Sequence, residues 1–335
     1  MKILVTGGCG FIGSTFIRMA LKEHPDVEIV NLDAMTYAAN PLNLQDVESN
    51  SKYTFIHGDI RSGSDVDKAI DGCDYVVNFA AESHVDRSFD SPGIFEQTNT
   101  GGTVNLLKAA LKHRIKRFLQ ISTDEVYGAL RPDDPPFTEN SELKPSSPYS
   151  ASKAAADLFA LSFHHSFGLD LCITRCSNNY GPRQTPEKLI PFFIMRLIED
   201  RSLPIYGDGR QIRDWIYVDD HCRGIWLALT RGQSGRIYNL SAGCEKTNLE
   251  IADLILRSFS KGPENIEHVN DRPGHDRRYA MDFSRAKNEL GFTPKTNFEK
   301  GIGGTIVWYR EHCLWMEEAR KRLDNFGLAS AQSFS

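Results

Sequence analysis

The stretch KILVTGGCGFIG, residues 2–13, decides the fold, because its first five residues are typical of a buried strand and its glycines of a tight turn. The periodicity of residues 14–24 predicts a helix after the turn, and residues 28–32 predict a second strand that ends at Asp33. Predicted strands and amphipathic stretches then alternate as far as residue 175. This alternation predicts an α/β fold with a Rossmann-type, doubly wound parallel sheet.

Beyond residue 180 the alternation becomes irregular, which predicts a smaller C-terminal α/β lobe that binds substrate. We expect a Rossmann domain over residues 1–180 and the lobe over residues 181–323, with some segments of the lobe returning to the Rossmann domain. Residues 207–213 are interpreted as a loop of this lobe. Residues 324–335 are expected to form a disordered tail.

Composition narrows the classes of partner. The 335 residues carry 39 Lys and Arg against 44 Asp and Glu, a net charge of -5, and no basic block stands out. Binding to nucleic acid or to an anionic membrane is therefore not expected. The seven cysteines form no CxxC pair, which argues against a metal site and against a disulfide framework. We expect a cytoplasmic enzyme with a small-molecule substrate.

The glycine turn has the features of a dinucleotide site. Gly7 permits the tight reversal, Gly10 lets the backbone approach a pyrophosphate, and Gly13 lets the helix pack on the sheet. Asp33, about 20 residues later, can accept from both ribose hydroxyls, and its charge would repel a 2′-phosphate, which predicts NAD rather than NADP. A glycine triplet alone can be only a turn, but its position between a strand and a helix favours cofactor binding.

Tyr149 and Lys153 lie four residues apart at the predicted start of a helix, so their side chains share one face. The charge of Lys153 is expected to stabilise a phenolate and to lower the pKa of Tyr149, which makes the tyrosine a candidate base for a sugar hydroxyl. Such pairs also arise by chance. The preceding dinucleotide turn favours a functional pair.

Thr123, Asp124 and Glu125 follow a predicted strand, so they should point into the crevice at the carboxyl edge of the sheet. Elimination next to a carbonyl group requires one protonated and one ionised acid, and neighbouring carboxyls can have their pKa values pushed apart. Oxidation of an alcohol alone does not need this pair. The alternative interpretation of the two acids is a solvated turn.

Further motifs carry a family resemblance, namely AAESHVDRS (80–88), TDEVYG (123–128), SNNYGP (177–182), PEKLIP (186–191), QIRDW (211–215) and DRPGHD (271–276). The chain resembles the extended short-chain dehydrogenase/reductase superfamily and, within it, the dTDP-glucose 4,6-dehydratase family, from residue 1 to about residue 315. The narrower resemblance depends mainly on Asp124, Glu125 and the RPGH segment. Cys9 and the RQT segment at residues 183–185 depart from the family pattern.

The resemblance implies a catalytic cycle with tightly bound NAD. Tyr149, aided by Lys153 and Thr123, would remove the proton of the sugar 4-hydroxyl while hydride leaves C4. Glu125 would then take the C5 proton, and Asp124 would protonate the departing 6-hydroxyl. Hydride would return to C6, which gives a 4-keto-6-deoxy sugar and regenerates NAD.

Two sets of binding residues follow from the same resemblance. Arg213 and Arg272 are also candidates for a diphosphate clamp on chemical grounds, because a guanidinium group matches phosphate oxygens. The implied cofactor residues are Gly7, Gly10, Phe11, Ile12, Gly13, Asp33, Ala34, Met35, Thr36, Asp59, Ile60, Phe79, Ala80, Ala81, Ser83, Thr98, Tyr149, Lys153 and Asn179. The implied substrate residues are Ser83, Thr123, Asn178, Lys188, Leu189, Pro204, Tyr206, Arg213, Asn248, Arg272 and His275.

Other substrates and other functions are also compatible with parts of the sequence. The nucleotide base is open between thymine and uracil, so a UDP-glucose 4,6-dehydratase is an alternative. A UDP-sugar epimerase or decarboxylase would share the fold, NAD and the tyrosine-lysine pair without needing both acids. A non-catalytic NAD-sensing protein would not need the catalytic side chains. Residues 101–113 and 152–167 resemble the helices that pair as a four-helix bundle in this family, which predicts a homodimer.

Overall fold

The computed structural model describes residues 1–271 and 276–326. Within these ranges the strands are β1 (Lys2–Thr6), β2 (Glu28–Asp33), β3 (Tyr53–His57), β4 (Tyr75–Asn78), β5 (Arg117–Thr123), β6 (Leu171–Cys176), β7 (Asn178–Tyr180), β8 (Leu203–Tyr206), β9 (Ile212–Tyr217), β10 (Ile237–Leu240), β11 (Glu245–Thr247) and β12 (Ile266–Val269). The α-helices are α1 (Phe11–Glu23), α2 (Gly63–Ile70), α3 (Val85–Asp90), α4 (Pro92–Phe95), α5 (Thr103–Lys112), α6 (Pro148–Phe167), α7 (Leu189–Ile198), α8 (Val218–Arg231), α9 (Asn248–Ser258), α10 (Phe298–Glu311) and α11 (Cys313–Asn325).

Seven parallel strands form the main sheet, in the order β3-β2-β1-β4-β5-β6-β10. The central strand β1 pairs with β2, where Val5 lies opposite Asn31, and with β4, where Val5 lies opposite Val77. Because the strand order reverses between β1 and β4, the loops at their carboxyl ends diverge and leave a crevice. The predicted doubly wound parallel sheet is confirmed.

Helices cover both faces of this sheet, which explains why its central strands are almost continuously apolar. On one face α1 packs against α8, with Phe16 and Ile225 in the shared core. On the other face α2, α5 and α6 pack together around Leu106 and Ala160. The seventh strand, β10, and helix α8 come from the C-terminal half of the chain. They complete the sheet and one of its covering layers.

A second core fills the smaller lobe. Helices α7, α9 and α10 pack around Phe193, Ile255 and Ile302, and Trp315 of α11 adds to the same cluster. Strand β9 pairs with β7 and β11, and β8 pairs with β12. The interpretation of residues 207–213 as a loop is wrong at its end, because Ile212 begins β9 and lies opposite Thr247. A β-branched residue paired in a short strand overrides the polar neighbours that suggested a loop.

The last helix extends past the predicted start of the tail. Helix α11 ends at Asn325, so Asp324 and Asn325 are helical, and residues 327–335 of the predicted tail lie outside the described residues. In the described ranges, no helix combines the length and the apolar composition needed to cross a bilayer.

Candidate active site

A cleft opens at the carboxyl edge of the sheet and collects most of the predicted site residues. It runs from the glycine turn after β1, past the end of β2, to the ends of β5 and β6. The predicted residues that line it are Gly7, Gly10, Phe11, Ile12, Gly13, Asp33, Ala34, Thr36, Asp59, Ile60, Phe79, Ala80, Ala81, Ser83, Thr98, Thr123, Asp124, Glu125, Tyr149, Lys153, Asn178, Asn179 and Lys188.

The structure does not bring every predicted residue to this cleft. Met35 lies behind Asp33 and donates its N–H to Asp33 Oδ1 at 2.8 Å. Arg272 and His275 lie outside the described residues. The predicted substrate residues that are not among the residues lining the cleft are Leu189, Pro204, Tyr206, Arg213 and Asn248.

Several residues that line the cleft were missed by the sequence analysis. Most of them adjoin predicted residues at the strand ends. Four of them already lie within the quoted segments without an assigned role, namely Glu82, Ser177, Gln184 and Thr185. The missed residues are Leu32, Ala38, Ala39, Gly58, Arg61, Glu82, Ile121, Ser122, Cys176, Ser177, Gln184 and Thr185.

The glycine turn is shaped to receive an anion. Gly7 has a φ of 68°, and a Cβ atom there would lie 2.7 Å from the backbone N of Ala80. A Cβ atom on Gly13 would lie 2.4 Å from Gly7 O, whereas one on Gly10 would meet only Gly7 O, at 3.3 Å. No side chain of the described residues caps α1 at Gly10, so the first N–H groups of the helix face the cleft, where a phosphate group would be stabilised.

Asp33 ends β2 with its carboxylate held by two backbone N–H groups. Cys9 N donates to Oδ2 and Met35 N to Oδ1, each at 2.8 Å. Burial raises the pKa of Asp33, while these two hydrogen bonds and the positive charge of Arg322 oppose the rise. Each oxygen retains a lone pair for a further donor such as a ribose hydroxyl.

The start of α6 positions the tyrosine and the lysine. Ser147 and Ser150 form a capping box and Pro148 occupies the first turn, so the helix begins at a defined residue. Tyr149 and Lys153 are both buried, and Lys153 Nζ donates to the carbonyl of Ile121 at 2.6 Å.

The predicted lowering of the Tyr149 pKa is not found in the folded chain, where the net change is a rise. Burial raises the pKa of Tyr149 well above its ordinary value, and the nearby Glu125 raises it further. Burial also lowers the pKa of Lys153, while the carboxylate of Asp157 one turn later opposes that effect. Desolvation is the largest cause of the rise in the pKa of Tyr149, and desolvation cannot be read from residue spacing.

Two neighbouring acids lie where β5 enters a single 3₁₀ turn, Asp124–Tyr127. Thr123 Oγ1 donates to Asp124 Oδ1 at 3.1 Å and accepts from Glu125 N at 3.2 Å. Burial first, and the charge of Glu125 next, raise the pKa of Asp124 well above its ordinary value. Asp124 is thus favoured in its protonated form, and its Oδ2 has no hydrogen-bond partner among the described residues.

A buried ion pair between Arg175 and Asp157 packs next to these site residues. Arg175 on β6 donates from Nε to Asp157 Oδ2 at 2.9 Å, and the two side chains are 2% and 0% exposed. Ser122 Oγ donates to the same oxygen at 3.1 Å. Asp157 lies one helical turn after Lys153, so the spacing of these two residues could have predicted that Asp157 lies close to the lysine.

Polar contacts hold the far wall of the cleft. Lys188 Nζ donates to Ser83 O at 3.1 Å. Asn179 donates through Nδ2 to Ser177 O at 3.0 Å, and its Oδ1 lies 2.8 Å from Nδ1 of the buried His221. Arg213 lies outside the cleft lining, with its guanidinium 4.6 Å from the centre of the Tyr279 ring.

Metal ligation has no candidate cluster in the described part of the chain. No group of three or more His, Cys, Asp or Glu residues there could hold a metal ion. All seven cysteines are free thiols.

Comparisons with known proteins agree with this geometry. Residues 4–305 match the family described as GDP-mannose 4,6 dehydratase. The chain is 49% identical over 317 residues to a dTDP-glucose 4,6-dehydratase of Streptomyces griseus, which covers 94% of this chain and 96% of the relative.

Solved structures give the same result. The dTDP-glucose 4,6-dehydratase DesIV of Streptomyces venezuelae, solved with NAD bound, matches with a TM-score of 0.93 and 46% identity over 95% of this chain and 100% of DesIV. A UDP-glucose 4-epimerase of Thermotoga maritima, solved with UDP-glucose, matches with a TM-score of 0.86 and 28% identity over 93% of this chain and 100% of the epimerase. The chain therefore belongs to the dTDP-glucose 4,6-dehydratase family of the extended short-chain dehydrogenase/reductase superfamily.

Proposed function

We propose that this protein is an NAD-dependent hydro-lyase that converts dTDP-glucose to dTDP-4-keto-6-deoxyglucose and water. The observation that carries the proposal is the pair Asp124 and Glu125 at one strand end, beside Tyr149 and Lys153 in the same cleft. Such a pair provides the acid and the base that elimination of water requires.

The residues of the cleft fit NAD. The uncapped start of α1 and the open side of Gly10 suit its pyrophosphate, and the carboxylate of Asp33 suits a ribose diol. The negative charge of Asp33 disfavours the 2′-phosphate of NADP. When bound, NAD supplies a hydride acceptor that can later return the hydride.

Tyr149 acts as the base of the oxidation step in this proposal. As a phenolate, whose charge the buried ammonium group of Lys153 would stabilise, it would take the proton of the sugar 4-hydroxyl and become a neutral phenol. Thr123 would orient the same hydroxyl, because its side chain lies at the end of β5 and lines the cleft. The product of this step is a ketone at C4, which makes the C5 proton acidic.

Glu125 and Asp124 divide the elimination between them. Glu125, the more exposed of the two, would take the C5 proton. Asp124, whose pKa is raised by burial, would give its proton to the 6-hydroxyl, which leaves as water. The total charge of the pair is unchanged, but the proton has moved from Asp124 to Glu125. Once hydride has returned to C6, Glu125 would give its proton back to C5, which completes the 4-keto-6-deoxy sugar.

Substrate recognition extends the proposal to the lobe. Asn178 and Lys188 line the cleft and are proposed to contact the nucleotide sugar, and Arg213 and Arg272 are proposed to clamp its diphosphate. UDP-glucose remains the alternative substrate for the same chemistry. The epimerase alternative, which the fold also accommodates, gives no role to both Asp124 and Glu125.

We also propose a homodimer and a cytoplasmic location. Helix α6 exposes three large apolar side chains, Leu158, Phe159 and Phe167, at 57%, 44% and 62%. A second copy that pairs α5 and α6 would cover them, as the resemblance to the family implies. The seven free thiols suit a reducing compartment.

The decisive experiment offers dTDP-glucose and UDP-glucose separately and detects the 4-keto sugar by its absorbance in alkali. Formation of the keto sugar from dTDP-glucose, without net NADH release, is the expected result. A matched variant that carries Asp124→Asn and Glu125→Gln should form none while still binding NAD. A 4-epimer without any keto sugar would refute the dehydratase and favour the epimerase.

A further inference from the structure

The last described helix reaches back to the cofactor cleft. Arg322 on α11 donates from Nη2 to the carbonyl of Met35 at 2.8 Å and to that of Thr36 at 3.2 Å. These carbonyls belong to the loop that follows Asp33, nearly the whole length of the chain away. The contact therefore joins the C-terminal helix to one wall of the cleft.

The backbone conformation of this loop requires stabilising contacts from other parts of the protein. Met35 has a φ of 53°, a left-handed value that a side-chain-bearing residue rarely adopts without support from its surroundings. Its N–H donates to Asp33 Oδ1, while its C=O accepts from Arg322. One peptide segment thus connects the guanidinium group to the carboxylate that faces the cleft, and Thr36 beside it lines the cleft.

Further contacts attach α11 along the same loop. The ring of Phe326 just after α11 meets Tyr37 edge-on at 6.5 Å between centroids. Trp315 Nε1 donates to Asn43 Oδ1 at 2.7 Å, and Asn43 Nδ2 donates to Cys9 O at 2.9 Å within the glycine turn. Arg322 is therefore one of several attachments and the one nearest to Asp33 in sequence.

The charge of Arg322 acts in the same direction as its hydrogen bonds. Burial raises the pKa of Asp33, and the positive charge of Arg322 opposes that rise. An ionised Asp33 accepts hydrogen bonds from hydroxyl groups more strongly than a protonated one does.

We propose that Arg322 is a positioning residue for the adenosine ribose of the dinucleotide: by holding the carbonyls of Met35 and Thr36, it places Asp33 to bind the ribose diol. This proposal rests on the proposed binding of NAD. It adds α11 to a site that the sequence motifs confine to the first 180 residues.

The test compares Arg322→Met, Arg322→Lys and the control Arg320→Met. Arg320 lies on the same helix and pairs with Glu199, far in sequence from the loop. For each protein, the measurements are the dissociation constants of NAD, of ADP-ribose and of nicotinamide mononucleotide by calorimetry, and the melting temperature with and without NAD. The two fragments separate the adenosine half from the nicotinamide half.

Arg322→Met should weaken binding of NAD and of ADP-ribose by about tenfold, since a hydrogen-bonded charge that acts through the loop is lost. Nicotinamide mononucleotide should bind as before, and the melting temperature should fall more with NAD than without it. Arg322→Lys should recover part of the affinity. Arg320→Met should match the wild type.

Wild-type affinity for ADP-ribose in folded Arg322→Met would overturn the proposal, as would equal weakening of both fragments, which marks a merely structural role. Should Arg322→Met not fold, Arg322→Gln carries the same expectation and the same refutation. Failure of the wild-type protein to bind NAD would instead refute the proposed function, so the two failures are distinguishable.

Discussion

Asp157→Asn tests whether the ion pair below the active site maintains it. The substitution preserves the shape of the side chain and a hydrogen-bond acceptor for Ser122, but it removes the anionic partner of Arg175. Arg175 is 2% exposed, so water cannot replace the lost carboxylate without opening the core. The guanidinium group would remain buried without a carboxylate at position 157, and the new amide oxygen and the ring of Tyr127, 4.8 Å away, would stabilise its charge less well.

The expected loss of unfolding free energy is about 3–5 kcal/mol, the usual cost of removing one member of a buried pair. A whole protein is stable by only about 5–15 kcal/mol, so the loss is about a fifth of the total or more. Adding Arg175→Met removes the stranded charge. The double variant should therefore be more stable than Asp157→Asn alone, by roughly 2 kcal/mol.

Urea unfolding followed by circular dichroism and by tryptophan fluorescence measures both quantities. A loss below about 1 kcal/mol for Asp157→Asn, or additive losses in the double variant, would refute the reasoning from a desolvated pair. The alkaline limb of the activity profile gives a second readout. Asp157 opposes the fall in the pKa of Lys153, so its replacement should move that limb to lower pH.

Other predictions address the chemistry, the cofactor, the acids and the assembly. Glu125→Gln should slow exchange of the C5 proton with deuterated water about 10²–10⁴-fold while leaving the first hydride transfer intact, whereas Tyr149→Phe should block that transfer. Proton NMR measures the exchange and NADH absorbance measures the hydride transfer. Exchange at the wild-type rate in Glu125→Gln would exclude Glu125 as the base. Asp33→Ala should weaken NAD binding and reduce discrimination against NADP in calorimetry, and unchanged affinity would mean that another residue holds the ribose. The folded-state pKa of Asp124 is raised, so the stability that this carboxyl contributes is present below its unfolded pKa and is lost as pH rises through its folded pKa. Asp124→Asn should therefore raise the melting temperature at about pH 8. A lower melting temperature would contradict the raised pKa. Leu158→Glu should give the mass of one chain in sedimentation, and a wild-type protein that already sediments as one chain would refute the dimer.

The strands of the main sheet could be predicted from the sequence because a strand covered on both faces must be apolar throughout. Strands β1 and β2 accordingly lie within one residue of their predicted ends. Strand β10 is only four residues long, and its place beside β6 depends on a crossover that no local pattern reveals. Helices α10 and α11 have no counterpart among the predicted elements, although α10 packs against the adjacent α9 and α11.

The same division applies to the site. Asp33, Thr123 and Asp124 could be located because parallel topology brings strand ends to one edge. The pKa of Tyr149 could not be predicted from sequence, because its direction depends on how completely the folded chain removes water from the ring. Arg322 could not be found either, since its partners lie some 286 residues earlier.

The position of β10 at the edge of the main sheet bears on how the chain is made. During synthesis, the first six strands emerge with one edge of β6 unpaired. That edge stays unpaired until β10, which ends at residue 240, has left the ribosome. An open strand edge beside an uncovered apolar face is a template for association with other chains. A gene fragment that ends near residue 180 would preserve that vulnerable state permanently. Cutting the gene between the lobes is therefore expected to give an aggregating N-terminal product, although each lobe has a core of its own.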